Sequence, residues 1–351
     1  MKTMKGGVTA PKGFMASGVK AGIKKSGRKD LALLFSEVPA VAAASFTTNR
    51  FLASPVKVSM EHIANRTHQA VIVNSGNANC ANGRTGDRDA AQMAGFIAGS
   101  MDIGSKEVLV ASTGIIGHYL PIDKIRKAIP ELIGDLSETG GTRFAETIMT
   151  TDTVKKELAI KFTAGGRTIT IGGSCKGVGM LYPEMRTARH ATMLAFLSTD
   201  AAISKMMLEE ALDEAIQDSF NMVSVDGDMS TNDTCLILAN GLAGNAKIGK
   251  KDAAYRTFAL ALKTLCGDLA VMMAKDGEGA TKLLEIEVRG AKSGADARTV
   301  ARKISVSNLL KCAVHGADPN WGRVAASAGA SGIKFDPDRT DIYLGAVKVF
   351  S

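Results

Sequence analysis

The chain has 351 residues, 45% hydrophobic and 22% charged, so it can bury one large or two medium cores and is not a disordered polypeptide. Its 37 glycines and only 5% aromatics suit tight turns between strands and helices better than a base-stacking surface. The formal net charge of +8 includes short basic clusters at residues 20–29 and 247–251; with no aromatics between them they read as solvated surface, and no nucleic-acid partner is expected.

Five cysteines, Cys80, Cys175, Cys235, Cys266 and Cys312, lie far apart without a CxxC pair. An odd, scattered set argues against a disulfide framework and against zinc, so no metal site is expected and buried free thiols are. Residues 1–29 lack the continuous apolar stretch of a secretory signal, and no apolar run reads as long enough to span a membrane. The expected location is the cytoplasm.

Residues 6–24 place Gly, Pro and Lys at short intervals and read as an irregular opening segment. Residues 31–35, 40–46 and 70–73 are strand-like, and the third runs into an asparagine- and glycine-rich loop, NSGNANCANG. Thr85 or Asp87 can cap a helix reaching Met101, with Ala90, Met93, Ala94 and Ile97 on one face. The strand at 108–111 opens into STGIIG, where Thr113 and Gly114 can turn backbone N–H groups outward as an oxyanion hole does. Alone, that motif is no more specific than a turn. Residues 122–133 read as a short helix interrupted by Pro130.

Leu158, Ile160 and Phe162 alternate before Gly165-Gly166 and a second strand, predicting a hairpin. It delivers the chain to a glycine-rich turn after Lys176, a loop with Pro183, then Ala191-Thr192 and the apolar run 193–197. A small residue, a threonine and a buried strand in that order suggest self-cleavage before Thr192. The new N-terminal threonine would carry a hydroxyl nucleophile and, in its own α-amine, a base with a pKa of about 7.7–8.0.

Beyond it, Ser204 can cap a helix whose buried side carries Leu208, Leu212 and Ile216. The polar stretch 218–233 lacks the order of an EF-hand calcium loop. Residues 252–274 form a long amphipathic helix, Leu284, Ile286 and Val288 alternate as a half-exposed strand, and 339–349 close with another strand. Strands and helices alternate without a strict βαβ repeat, which favours a layered α+β architecture.

Eight motifs in order carry a resemblance: NSGNANCANG (74–83), STGIIG (112–117), MTTDT (149–153), KGVGM (176–180), ATMLAF (191–196), SFNMVSVDGDMSTNDT (219–234), DGEGATK (276–282) and DPNWGR (318–323). Together they resemble the ornithine acetyltransferase (glutamate N-acetyltransferase) family of arginine biosynthesis, over nearly the whole chain. The resemblance implies a self-cleaving precursor with an αββα-like sandwich convergent with the N-terminal-nucleophile hydrolases. Residues 1–191 would form the α piece, with the oxyanion hole and a substrate loop, and 192–351 the β piece, beginning with the nucleophile. Two of each would assemble as a heterotetramer. The implied reaction moves acetyl from N2-acetylornithine to glutamate by a ping-pong path, without a cofactor and with acetyl-CoA as a possible co-substrate. The implied roles are Thr192 as nucleophile, Ala191-Thr192 as the cleavage site, and Thr113 and Gly114 as the oxyanion hole. Thr150, Lys176, Thr192 and Glu278 would bind substrate. A lysine suits a substrate carboxylate, and a glutamate an ornithine ammonium.

Two departures from the family pattern bear on these roles. Residues Arg186-Thr-Ala-Arg-His190 are extra before Ala191, and Thr187 thereby competes as the scissile threonine. Thr192 is preferred because Ala191 precedes it and the apolar strand follows; His190 reads as a loop histidine. The family also continues past the final strand, with an asparagine and a hydroxyl residue in its substrate site that have no counterpart in a chain ending at Ser351. A second reading is therefore a catalytically silent homologue that binds ligand or serves a structural role, and a third is an N-terminal-threonine amidohydrolase or aminopeptidase.

Overall fold

A computed structural model describes residues 1–185 and 193–351. The first half holds β1 (Lys2–Met4), β2 (Phe14–Val19), β3 (Leu31–Phe46), α1 (Ser54–His62), β4 (His68–Asn74), α2 (Gly83–Met101), β5 (Val108–Ser112), α3 (Ile122–Gly134), α4 (Gly141–Ile148), β6 (Lys156–Ala164) and β7 (Arg167–Lys176). The second half holds β8 (Leu194–Thr199), α5 (Lys205–Gln217), β9 (Thr234–Ala239), α6 (Ala253–Lys275), α7 (Gly294–Ser305), α8 (Asn308–His315), α9 (Trp321–Gly329), β10 (Ile342–Leu344) and β11 (Val347–Phe350).

Two sheets are made from one ribbon. The order is β1-β6-β7-β8-β9-β3-β4-β5, with β2 also on β3. The two strands expected at 31–35 and 40–46 are one strand, whose register shifts between Phe35 and Ala40. Its first half pairs β2 and β4, and its second half pairs β9. Pro39, which cannot donate to a ladder, lies within the shift.

The layering follows from side-chain alternation. Leu194 and Phe196 of β8 face the space between the sheets, with Val71, Val73, Leu236 and Leu238. Ala195 and Leu197 face the opposite way, onto Leu208 and Leu212 of α5 and Leu262, Leu265 and Leu269 of α6. On the far side Leu31, Leu33, Ala70 and Ile72 meet Met93 and Ile97 of α2 and Ile125 and Ile129 of α3. The layers therefore run helix, sheet, sheet, helix, the expected αββα-like sandwich. Strands buried on both faces need continuous apolar runs, which is what 70–73 and 194–197 contain.

Several local expectations are corrected. The opening segment 6–24 is not irregular throughout, since β2 lies within it and pairs β3. Helix α2 begins at Gly83, ahead of both Thr85 and Asp87, and Asp87 instead accepts a 2.7 Å hydrogen bond from Ser54. Helix α3 runs unbroken through Pro130, because Ile125, Ile129 and Leu132 are buried while Pro130 points to solvent. The alternating run 284–288 pairs with no strand among the described residues; alternation creates a half-buried face but not a neighbour to bond. The closing strand is a separate hairpin, β10 with β11. Cys312 is exposed, whereas Cys80, Cys175, Cys235 and Cys266 are buried. Contrary to expectation, α6 is by length and composition apolar enough to cross a membrane. Here its Phe258, Leu262, Leu265 and Leu269 pack into the layer over β6 and β7.

Candidate active site

Strands β4, β5 and β7 end, and β8 and β9 begin, around one cavity of about 800 Å³. Its lining includes five of the predicted site residues, Thr113, Gly114, Thr150, Lys176 and Glu278. Met193 also lines it and is bonded in sequence to Thr192. Ala191 and Thr192, like Thr187 and His190, lie outside the described residues.

The Thr113-Gly114 turn is held by the asparagine loop. The parallel pairing of β4 and β5 brings Asn74 opposite Ser112, and the Thr113 N–H donates to the Asn74 carbonyl at 2.9 Å. Asn77 donates to the carbonyls of His118 and Tyr119, and Asn232 to those of Ala78 and Ser112. The asparagines therefore bind backbone groups that no strand partner satisfies. Gly114 has φ +136°, and a Cβ there would lie 2.5 Å from the Gly76 carbonyl carbon. Only glycine fits this approach. One expectation changes: the Thr113 N–H is already committed to Asn74, which leaves these two residues the Thr113 hydroxyl and the Gly114 N–H as donors to offer a ligand.

Lys176 is 7% exposed, and its Nζ donates to Thr113 Oγ1 at 3.4 Å. Burial lowers its pKa, against the charges of Asp152 and Asp233. Burial alone would raise the Asp152 carboxyl, but Lys176 and Lys156 hold it down at about 2. Asp152 Oδ2 accepts the Thr150 N–H and Oδ1 accepts the Gly177 N–H, both at 3.0 Å. One carboxylate thus joins the Thr150 loop to the Lys176 turn. Glu278 closes the other side: its N–H donates to the Val178 carbonyl at 2.7 Å, and its Oε1 accepts from Thr151 Oγ1 at 2.5 Å. Gly179 leaves room for it, because a Cβ there would lie 2.6 Å from the Glu278 carboxyl carbon.

Three further lining residues escaped the sequence reading. Lys24 and Arg28 belong to the basic cluster taken for solvated surface. Lys24 Nζ donates to the carbonyls of Lys29, Thr147 and Met149, and Arg28 donates to the Thr150 carbonyl at 2.7 Å. Burial, aided by the Arg28 charge and opposed by Asp30, pushes the Lys24 pKa down to about 8. The only sequence signal was the density of Lys and Arg over 20–29, which does not reveal a fold back over the cavity. Asp233 is 3% exposed, and its Oδ2 has no hydrogen-bond partner among the described residues. Burial pushes its carboxyl well above the usual range, with Lys176 opposing.

The polar stretch before β9 also anchors the loop that leads toward Thr192. Asn221 accepts from the Met185 N–H at 2.6 Å and donates to the Met185 carbonyl at 2.7 Å, while Asp226 accepts from the Leu181 N–H at 2.8 Å. On the other side the Thr234 N–H donates to the Met193 carbonyl at 2.6 Å. Among the described residues no group of three or more His, Cys, Asp or Glu is arranged to hold a metal ion.

The profile of the ArgJ family matches residues 15–351. The chain is 50% identical, over 351 residues, to the arginine biosynthesis bifunctional protein ArgJ of Symbiobacterium thermophilum, covering 99% of this chain and 86% of that protein. It is 48% identical to the protein of the same name from Dehalococcoides mccartyi, covering 97% and 83% respectively. Among solved structures, arginine biosynthesis bifunctional protein ArgJ from Bacillus halodurans aligns at 42% identity with a TM-score of 0.50. That alignment covers 52% of this chain and 98% of the solved one.

Proposed function

The chain belongs to the ArgJ family, and from that premise we propose that it moves acetyl from N2-acetylornithine to glutamate through an acetyl ester on Thr192. The observation that carries this reading is the convergence of Thr113, Gly114, Thr150, Lys176 and Glu278 on the cavity that Met193 also lines.

In the first half-reaction the Thr192 hydroxyl attacks the acetyl carbonyl, and its α-amine takes the proton. The Thr113 hydroxyl and the Gly114 N–H hold the oxyanion. The amide C–N bond breaks, ornithine's α-nitrogen leaves with the proton, and the acetyl group stays as an ester. In the second half the amine of glutamate attacks that ester, passes one proton back to Thr192 and departs as N-acetylglutamate. Lys176 meets the α-carboxylate that both substrates carry. Glu278 meets ornithine's side-chain ammonium, with Thr150 between them.

The nucleophile's amine must first be freed by cleavage between Ala191 and Thr192. A cut there divides the chain just past its middle. That fits the Bacillus halodurans crystal chain, which at 98% of its own length aligns with only 52% of this one. In this reading two α and two β pieces assemble as a heterotetramer in the cytoplasm. Acetyl-CoA serves as a second donor. Support for that comes from a cavity near the top of the ~300–1,000 Å³ range of small-molecule sites, and from Lys24, Lys25 and Arg28 at its lining.

Intact-mass analysis with N-terminal sequencing tests the reading. Two pieces are expected, the second starting at Thr192, with acetyl exchange between acetylornithine and glutamate. Thr192→Ala is expected to abolish both cleavage and transfer. A start at Thr187 would move the nucleophile. A single uncut chain without transfer would refute the proposal and leave the silent-homologue reading.

A further inference from the structure

A second set of charges lies beneath the cavity and does not line it. Lys156 is fully buried, and its Nζ bonds Asp152 Oδ1 at 2.8 Å, Asp276 Oδ2 at 2.6 Å and the Val154 carbonyl at 3.2 Å. Each carboxylate then holds part of the site. Asp152 fixes the N–H groups of Thr150 and Gly177. Asp276 accepts from the Thr153 N–H and hydroxyl and stands two residues before Glu278. Lys156 thus joins three loops, those of Thr150, Lys176 and Glu278.

We propose that Lys156 is a positioning residue that locks the Glu278 loop onto the Thr150 and Lys176 loops, and so sets the spacing at which the two ends of the amino-acid substrate are held. This rests on the functional reading above for the roles of those three residues and for the cut before Thr192. If the chain is cut there, Lys156 and Asp152 belong to the first piece and Asp276 and Glu278 to the second. The buried Lys156–Asp276 pair then bridges the two pieces directly under the substrate.

Physical chemistry favours positioning over simple adhesion. Taking a lysine and two carboxylates out of water offsets most of their mutual attraction, so well-packed apolar side chains would hold the loops as firmly. What apolar packing lacks is direction. An ammonium has three donors, and here each is committed to an acceptor on a fixed loop, which limits the slide of one loop past another.

The test compares wild type, Lys156→Met and Asp276→Asn as assembled proteins. Mass analysis first establishes that each is processed as the wild type is. Glutamate and ornithine binding are measured by calorimetry, and KM and kcat by acetyl exchange. The expected result is at least about a tenfold loss of affinity and a matching rise in KM in both variants, with a smaller change in kcat. Asp276→Asn keeps the size of the side chain but removes its charge and one of its two accepting oxygens, and it covers the case in which Lys156→Met does not fold. Variants that lose thermal stability but keep wild-type affinity and KM would overturn the proposal and leave Lys156 a purely structural residue. Wild-type protein that binds glutamate but transfers no acetyl would refute the functional reading alone. Wild-type protein that binds neither amino acid would overturn both.

Discussion

Replacing Thr113 with valine removes one hydroxyl and almost nothing else. The Thr113 N–H donates to Asn74, and the pairing of β4 with β5 runs through backbone groups that valine also has. The lost side-chain contact is the 3.4 Å bond from Lys176, too long to contribute much to stability. Because the backbone N–H is occupied, the hydroxyl is all that this residue can offer a developing oxyanion. Removing one such donor costs about 10²–10³ in kcat, or roughly 2.7–4 kcal/mol of transition-state stabilisation. Thr113→Val is therefore expected to lower kcat for acetyl exchange by at least about a hundredfold, with KM and the unfolding midpoint little changed. Thr113→Ser, which keeps the hydroxyl, is expected to recover most of the rate. Stopped reactions weighed by mass spectrometry should show slow acetylation of the second piece in the valine variant. A valine variant within about tenfold of wild type would refute the assignment of the Thr113 hydroxyl to the oxyanion.

Two buried carboxylates should respond to pH in opposite senses. Asp233 is held above the usual carboxylate range, so the folded chain keeps a proton that the unfolded chain releases, and stability falls as pH rises from that range toward neutral. Asp233→Asn should raise the thermal midpoint at pH 7, with the gain shrinking in acid; a lower midpoint at pH 7 would contradict this. Asp152 is held at about 2, so its contribution is present above the usual carboxylate pKa and is lost as pH falls toward 2. Asp152→Asn should therefore cost more at pH 7 than at pH 3, as thermal melts at the two values would reveal. Gly179→Ala places a methyl against the Glu278 carboxyl and is expected to weaken ornithine binding more than it lowers stability, which calorimetry and denaturation can separate. Thiol labelling of native protein should modify Cys312 quickly and the buried Cys175, Cys235 and Cys266 only on unfolding; burial pushes the pKa of those three upward.

The strands at 70–73 and 194–197 buried on both faces, the long helix after residue 252 and the cap Ser204 follow from local pattern, because a strand's apolar run and a helix's first turn are properties of adjacent residues. Thr113 and Gly114 were legible as a glycine turn after a strand, whereas Thr150, Lys176 and Glu278 were carried by the resemblance of their motifs to a family, and the cavity brings all five together. What adjacency cannot encode is pairing. That residues 31–46 form one strand shared by two sheets depends on which neighbours β4 and β9 offer. That residues 284–288 form no ladder depends on the absence of such a neighbour among the described residues. The basic run at 20–29 looked like any solvated charge cluster until the fold laid Lys24 across the carbonyls of Thr147 and Met149. Lys156 and Asp276 are 120 residues apart in the chain and 2.6 Å apart in space. A pair so distant leaves no periodic trace in the sequence, and only the packing of β6 beneath the end of α6 makes it a joint.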